Sequence, residues 1–189
     1  MKQITLLFLL IVQSTIAQNS LFNQIEAKNI GPTIMSGRVV DLAVNPKNPT
    51  EFYVAYATGG LWHTNNNGTS FSPVMDSAET VNCGSVTVDW NSGTIWVGTG
   101  EVNASRSSYA GVGVLKSSDK GKTWDNLGLK DSHHISRIWV NPSNLNEIVV
   151  AAVGHLYTTN KEEEFTNQLM VENRGNKPCS LLKIQELLI

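Results

Sequence analysis

The sequence predicts an all-β protein assembled from repeated four-stranded units. Three observations carry that expectation. The composition favours strands and turns, with 15 glycines and 5 tryptophans among many Val, Thr, Ser and Asn residues. A pattern of two β-rich runs joined by a short polar turn recurs three times. In the first two units the pattern leads into a further strand and a tight turn that ends on an aromatic residue.

The first unit runs from Gly37-Arg38-Val39-Val40-Asp41-Leu42-Ala43-Val44 through Asn45-Pro46 and Asn48-Pro49 to Phe52-Tyr53-Val54-Ala55. The second runs from Gly84-Ser85-Val86-Thr87-Val88-Asp89 through Asn91-Ser92-Gly93 to Thr94-Ile95-Trp96-Val97-Gly98. The third runs from Ser136-Arg137-Ile138-Trp139-Val140 through Asn141-Pro142 and Asn144 to Glu147-Ile148-Val149-Val150-Ala151. Val44, Val88 and Val140 stand 44 and 52 residues apart, a spacing suited to one four-stranded blade per repeat.

The strand that follows each hairpin enters a polar turn. Gly60-Leu61-Trp62-His63 leads to Thr64 through Phe71, and Gly113-Val114-Leu115-Lys116 leads to Ser117 through Trp124. A hydroxyl and an Asp or Asn side chain at these spacings can bond the backbone N–H groups of the turn. Gly68 and Gly121 supply positive φ, and Phe71 and Trp124 are expected to pack over the turn. None of this requires a ligand.

Ser117-x-Asp119-x-Gly121-x-Thr123-Trp124 matches the Asp-box, or bacterial neuraminidase repeat, at each defining position. Thr64 to Phe71 looks like a degenerate copy, with Asn66 in place of the Asp and Ser70 in place of the Thr. The chain therefore resembles the Asp-box β-propellers of sialidases, xyloglucanase-like glycoside hydrolases and sortilin-type proteins. Over about residues 29 to 161 it is similar to exported bacterial proteins of sortilin-like or glycosyl-hydrolase-like type. Ile30-Gly31-Pro32, Thr58-Gly59-Gly60-Leu61-Trp62, Gly98-Thr99-Gly100-Glu101, Lys130-Asp131-Ser132-His133-His134 and Val153-Gly154-His155-Leu156 carry that likeness. It implies a β-propeller, and at the observed repeat spacing the chain holds a partial one of about two and a half blades, an incomplete ring, with an irregular or helical C-terminal tail. In the family the box is a structural turn on the outer rim, so Ser117, Asp119, Gly121, Thr123 and Trp124 are expected to be structural.

Three segments are expected. Residues 1–17 read as a secretory signal, because Lys2 precedes an apolar run from Ile4 to Val12 and small residues stand at Thr15 and Ala17. That run is too short to cross a bilayer core of ~30 Å, so no membrane span is expected. Cleavage before Gln18 places the chain outside the cell, in the periplasm or in the envelope. Residues 18–164 form the propeller fragment. In residues 165–189 the repeat stops, and Leu181 to Ile189 has helix-favouring composition. Read one base earlier, the possible codons of Glu164 to Gly175 permit Ile-Tyr-Lys-Ser-Thr-Asp-Gly-Gly-Lys-x-Trp, the Asp-box that the repeat calls for next. A single-base frameshift near Glu162–Glu164 is the expectation, with a divergent native tail as the alternative.

Charge narrows the function. With 14 Lys+Arg against 16 Asp+Glu the formal charge is −2, which lacks the basic field of a nucleic-acid binder. Cys83 and Cys179 are too few for a disulfide scaffold. No Gly-rich phosphate loop sits between a strand and a helix, and no cofactor is expected.

The ligand-binding candidates are Arg38, Glu101, Arg106, His133, His134, Arg137 and His155. Arg38 and Arg137 are read as equivalent positions in two blades, able to hold a carboxylate or sugar acid by bidentate hydrogen bonds. The alternative for them is salt bridging between blades. Asp131, His133 and His134 form the densest cluster of possible metal ligands. Adjacent histidines in a strand face opposite sides, and no third or fourth ligand is close in sequence, so no metal is expected.

Catalytic residues are not expected. Glycosidases need two carboxylates across the scissile bond. The family resemblance would place a catalytic Asp just before the first Gly-Gly in xyloglucanase-like enzymes, where this chain has Ala57-Thr58. The Arg-Ile-Pro motif of sialidases is also missing. The function expected is a binding or scaffold module for carbohydrate or for a protein or peptide. The alternatives are the N-terminal part of a glycoside hydrolase and a truncated product without function.

Overall fold

The computed structural model describes residues 37–103 and 108–158, together with the backbone of two strands at 167–171 and 180–183. The proposed signal segment 1–17, Arg106 and the frameshift position at Glu162–Glu164 lie outside the described residues.

Twelve strands form three antiparallel four-stranded sheets. The first contains β1 (Val39–Val44), β2 (Phe52–Tyr56), β3 (Gly60–Thr64) and β4 (Ser72–Pro73). The second contains β5 (Cys83–Asp89), β6 (Thr94–Thr99), β7 (Val114–Ser117) and β8 (Asp125–Gly128). The third contains β9 (Ile135–Val140), β10 (Glu147–Ala152), β11 (Asn167–Val171) and β12 (Ser180–Lys183). A single 3-10 turn, Lys130–Ser132, is the one helical element among the described residues. In every sheet the strands lie in chain order and each pairs with the next, which makes each sheet a propeller blade.

The three predicted hairpins form, and two of them share a clasp. Asn45 Nδ2 donates to Glu51 Oε2 at 2.8 Å, and Asn141 Nδ2 donates to Glu147 Oε2 at 2.7 Å. These side chains close the β1–β2 and β9–β10 turns in the same way, so the repeat is visible in hydrogen bonds as well as in sequence.

The tail differs from expectation. Where an irregular or helical stretch was anticipated, β11 lies antiparallel on β10, with Ala151 opposite Asn167 and Glu147 opposite Val171. β12 then pairs with β11, so Leu181–Lys183 is strand rather than helix. The physical reason is the free edge of β10, whose row of unpaired N–H and C=O groups is a template for another strand. Three four-stranded sheets result, rather than two and a half.

The core lies between sheets. Tyr53, Ala55, Leu61, Met75, Cys83, Val86, Ile95, Val97 and Leu115 form one buried cluster between the first and second sheets. Trp96, Val114, Leu129, Ile135, Ile138, Ile148 and Val150 belong to a second cluster, between the second and third. β6 feeds both, Ile95 and Val97 to one side and Trp96 to the other, and all six of its residues are buried. A strand covered on both faces loses the apolar-polar alternation of a half-exposed one.

The polar turns are built as anticipated. In the second sheet Ser117 Oγ donates to Asp119 Oδ1 at 2.8 Å and accepts the Gly121 N–H at 2.7 Å. The Thr123 N–H and hydroxyl both donate to the Asp119 carboxylate, at 2.9 and 2.7 Å. In the first sheet Thr64, Asn66 and Ser70 repeat the scheme: Gly68 N–H donates to Thr64 Oγ1 and Ser70 N–H to Asn66 Oδ1, each at 3.0 Å. Gly68 and Gly121 adopt φ of 79° and 90°. Trp124 does more than cover its turn, because its Nε1–H donates to the Val74 carbonyl of the preceding unit at 3.0 Å.

The turn titrates. Hydrogen bonds from the Thr123 N–H and hydroxyl, with that of Ser117, hold the Asp119 carboxyl down at about 2. A depressed carboxyl stabilises the fold above its unfolded value of about 4, and that contribution is lost as pH falls through about 2. We expect the wild-type melting temperature to drop between pH 4 and pH 2 by more than that of Asp119→Asn, measured by thermal scans across that range. Parallel curves for the two proteins would refute it.

Candidate functional site

In a blade whose strands alternate in direction, the β2–β3 type and β4–β1 type connections emerge at one end. The hairpin turns and the Ser117–Trp124 turn emerge at the other. Six of the seven candidate residues lie in the described part, and they gather at or near the first end.

Arg38 precedes β1, and Glu101 follows β6. Their side chains form an ion pair between the first and second units, with Arg38 51% exposed and Glu101 1% exposed. Gly37, Arg38, Ala57, Thr58 and Glu101 line a cleft of about 180 Å³. The loop holding Glu101 is tied down by its own N–H, which donates to the Tyr109 carbonyl at 3.2 Å.

Arg137 is not the counterpart of Arg38. Asp41 stands opposite Ala55, and Arg137 stands opposite Ala151, each next to a register shift at the start of its strand. By that register Arg137 is the counterpart of Asp41. Arg137 Nη1 lies 3.5 Å from Asp41 Oδ1, so the equivalent positions of the first and third sheets carry opposite charge and meet. Asp41 Oδ2 also accepts the Val86 N–H of β5 at 3.0 Å. The Thr87 hydroxyl donates to the Ile138 carbonyl at 2.7 Å. First strands of blades have one edge without a strand partner, and these side chains satisfy part of that edge.

His133 and His134 sit just before β9, and His155 sits in the loop after β10. The two adjacent histidines part company. His134 is 3% exposed, and burial, with His133 and His155 nearby, lowers its imidazole pKa. His133 turns the other way and stacks on His155, with ring centroids 3.6 Å apart and planes 20° apart. Its backbone adopts φ 57°, and its carbonyl accepts the Gly111 N–H at 2.6 Å. His155 Nε2 lies 3.4 Å from Asp131 Oδ1, and its Nδ1 lies 2.7 Å from Thr158 Oγ1.

Asp131, His133 and His155 thus come together, a grouping the sequence reading did not assemble. The nearest sequence signal was the spacing of His155 from the Asp131–His134 run, in the loop that follows the next hairpin. A second cleft, of about 240 Å³, lies at the other end between Glu51, Tyr53, His63, Trp90, Asn91 and Lys120. None of the sequence candidates lines it.

No family model matches the chain, and no curated protein matches it. Among solved structures it is similar to an ancestral GH74 enzyme, at 20% identity and TM-score 0.59, over 84% of this chain and 20% of that one. A GH74 enzyme of Niastella koreensis aligns at 23% identity and TM-score 0.45, over 59% of this chain and 16% of that one. YCF48 of Cyanidioschyzon merolae aligns at 16% identity and TM-score 0.48, over 82% of this chain and 39% of that one. The chain spans about a fifth or less of the length of these GH74 enzymes. Fold is what the likeness establishes: the chain is an all-β partial propeller.

Proposed function

We propose that the chain is a piece of an exported Asp-box propeller of sortilin-like type, acting in binding or scaffolding and performing no catalysis of its own. One observation carries the reading: both carboxylates near the first strands, Asp41 and Glu101, are engaged by arginines of other units. Glu101 is 1% exposed, too enclosed to meet a glycosidic oxygen. Asp41 is bonded at once to the Val86 N–H and, at longer range, to Arg137. A glycosidase needs one carboxyl free to give a proton and another free to attack or activate water. The guanidinium groups, in contrast, reach solvent at 51% and 72% exposure, so they can receive a carboxylate or sugar acid of a carbohydrate or peptide.

A glycan array and a reducing-end assay on the purified chain test this. Binding without release of new reducing ends is expected, with roughly tenfold weaker binding in Arg137→Ala. The second reading, part of a glycoside hydrolase, draws on the likeness to the ancestral GH74 enzyme. Turnover that disappears in Asp41→Asn or Glu101→Gln would establish it and sink the first. The proposed limits of 1–17, 18–164 and 165–189 have their own checks. N-terminal sequencing of the exported protein should begin at Gln18, and resequencing the gene around Glu162–Glu164 should reveal the missing base. The third reading, a truncated product without function, requires that the purified chain lack a cooperative melt.

A further inference from the structure

We propose that Asp131, His133 and His155 form a binding site for a divalent transition metal of the zinc class. Each residue offers one ligand atom, and the three atoms lie within 4.8 Å of one another. Two imidazoles and one carboxylate are a donor set suited to zinc and its first-row neighbours, and three protein ligands leave a position open.

The arrangement around His155 points to a cation. Its Nδ1 is held at 2.7 Å by Thr158 Oγ1. A ring that donates its Nδ1–H there presents a bare lone pair at Nε2, the arrangement by which a partner on the second nitrogen fixes a metal-binding tautomer. Nε2 is buried and has no hydrogen-bond partner among the described residues, yet it faces Asp131 Oδ1 at 3.4 Å. In that tautomer the Nε2 lone pair and the Asp131 carboxylate oxygen face each other, an approach that a bound cation satisfies, as a proton on Nε2 does in the other tautomer.

The second imidazole is delivered by constrained backbone. His133 adopts φ 57°, uncommon for a residue with a side chain, and its carbonyl is anchored by the Gly111 N–H. That anchor directs its ring onto His155 rather than into the core, where His134 goes. The rings are stacked within 20° of parallel, so their lone pairs do not yet converge. Tetrahedral zinc with bonds of about 2.0–2.1 Å needs its ligand atoms closer than 4.8 Å, which side-chain rotation that splays the two rings supplies. Asp131 is 63% exposed, so the site is open to an arriving ion.

The test is titration of the full chain with zinc chloride by calorimetry, and with cobalt chloride by visible absorption. One equivalent of each is expected to bind, with cobalt giving the d–d bands of a four- or five-coordinate site. Asp131→Asn, at an exposed position, should fold normally and bind roughly tenfold to a hundredfold more weakly, the loss that even an outer-shell change can produce. His155→Ala should abolish the cobalt bands. His63→Ala, which removes the histidine paired with Glu51 in the other cleft, should leave both titrations unchanged. Failure of the folded wild-type chain to take up either ion would overturn the proposal. So would uptake that survives in Asp131→Asn and His155→Ala but is lost in His63→Ala.

Discussion

Gly100→Ala is expected to lower the melting temperature by about 10 °C and to loosen the loops that carry the histidine cluster. Gly100 follows β6 at φ 85°, and a β-carbon built there would lie 1.8 Å from the His133 carbonyl oxygen and 2.7 Å from the Gly111 nitrogen. Both obstacles are backbone, and the two are hydrogen-bonded to each other, so neither can rotate away. Left-handed strain of roughly 1–2 kcal/mol adds to an overpacking cost of roughly 1–3 kcal/mol. At a few degrees per kcal/mol for a chain of this size, the sum gives the stated fall. Gly128→Ala is the comparison, because Gly128 is also at positive φ (113°) but nothing lies within 4 Å of its added carbon. Differential scanning calorimetry should rank Gly100→Ala well below Gly128→Ala; equal losses would mean that the close approach at Gly100 is relieved cheaply.

Trp96→Ala should cost about 3–5 kcal/mol, the range for emptying a large aromatic site in a core. Trp96 is fully buried and is grouped with Ile135, Ile138, Ile148 and Val150 between the second and third sheets. Trp96→Phe separates the ring from its polar handle. The indole Nε1 is buried without a hydrogen-bond partner among the described residues, so deleting that N–H removes a group whose burial is unfavourable. The phenyl ring keeps most of the volume, and Lys116, whose Nζ lies 5.8 Å from the indole centroid, retains an aromatic face. A loss under about 1.5 kcal/mol is expected for this variant in chemical denaturation. A Phe variant as damaged as the Ala variant would show that the N–H is satisfied in solution.

Local chemistry made much of the fold legible. Asn45-Pro46 and Asn141-Pro142, each with a glutamate six residues after the asparagine, announce two hairpin turns, and both clasps form. The Ser117–Trp124 turn is likewise written in residues that bond to one another within eight positions. What the sequence hid depends on contacts between units. Arg38 and Arg137 look alike as arginines near the start of a β-run, yet counting back four residues from Asn45 and Asn141 aligns Arg137 with Asp41, as the strand register does; what the sequence hid is that these two side chains meet. His155 meets Asp131 because two loops from different blade connections emerge side by side, which no local spacing encodes. The tail's strands escape a local reading for a related reason: they pair on the open edge of β10, which their own propensity does not announce.

Trp124 reaches back to Val74, and nearby the Ser77 hydroxyl donates to the Lys122 carbonyl at 2.8 Å, while Lys47 Nζ donates to Asn91 Oδ1 at 2.8 Å. Neighbouring units are therefore fastened by non-covalent clamps as well as by the peptide that links them. A protease cutting the connecting segment near Asp76 or Glu79, both accessible, would sever the polypeptide without parting the pieces. The nicked halves would travel as one particle until heat or denaturant released the indole.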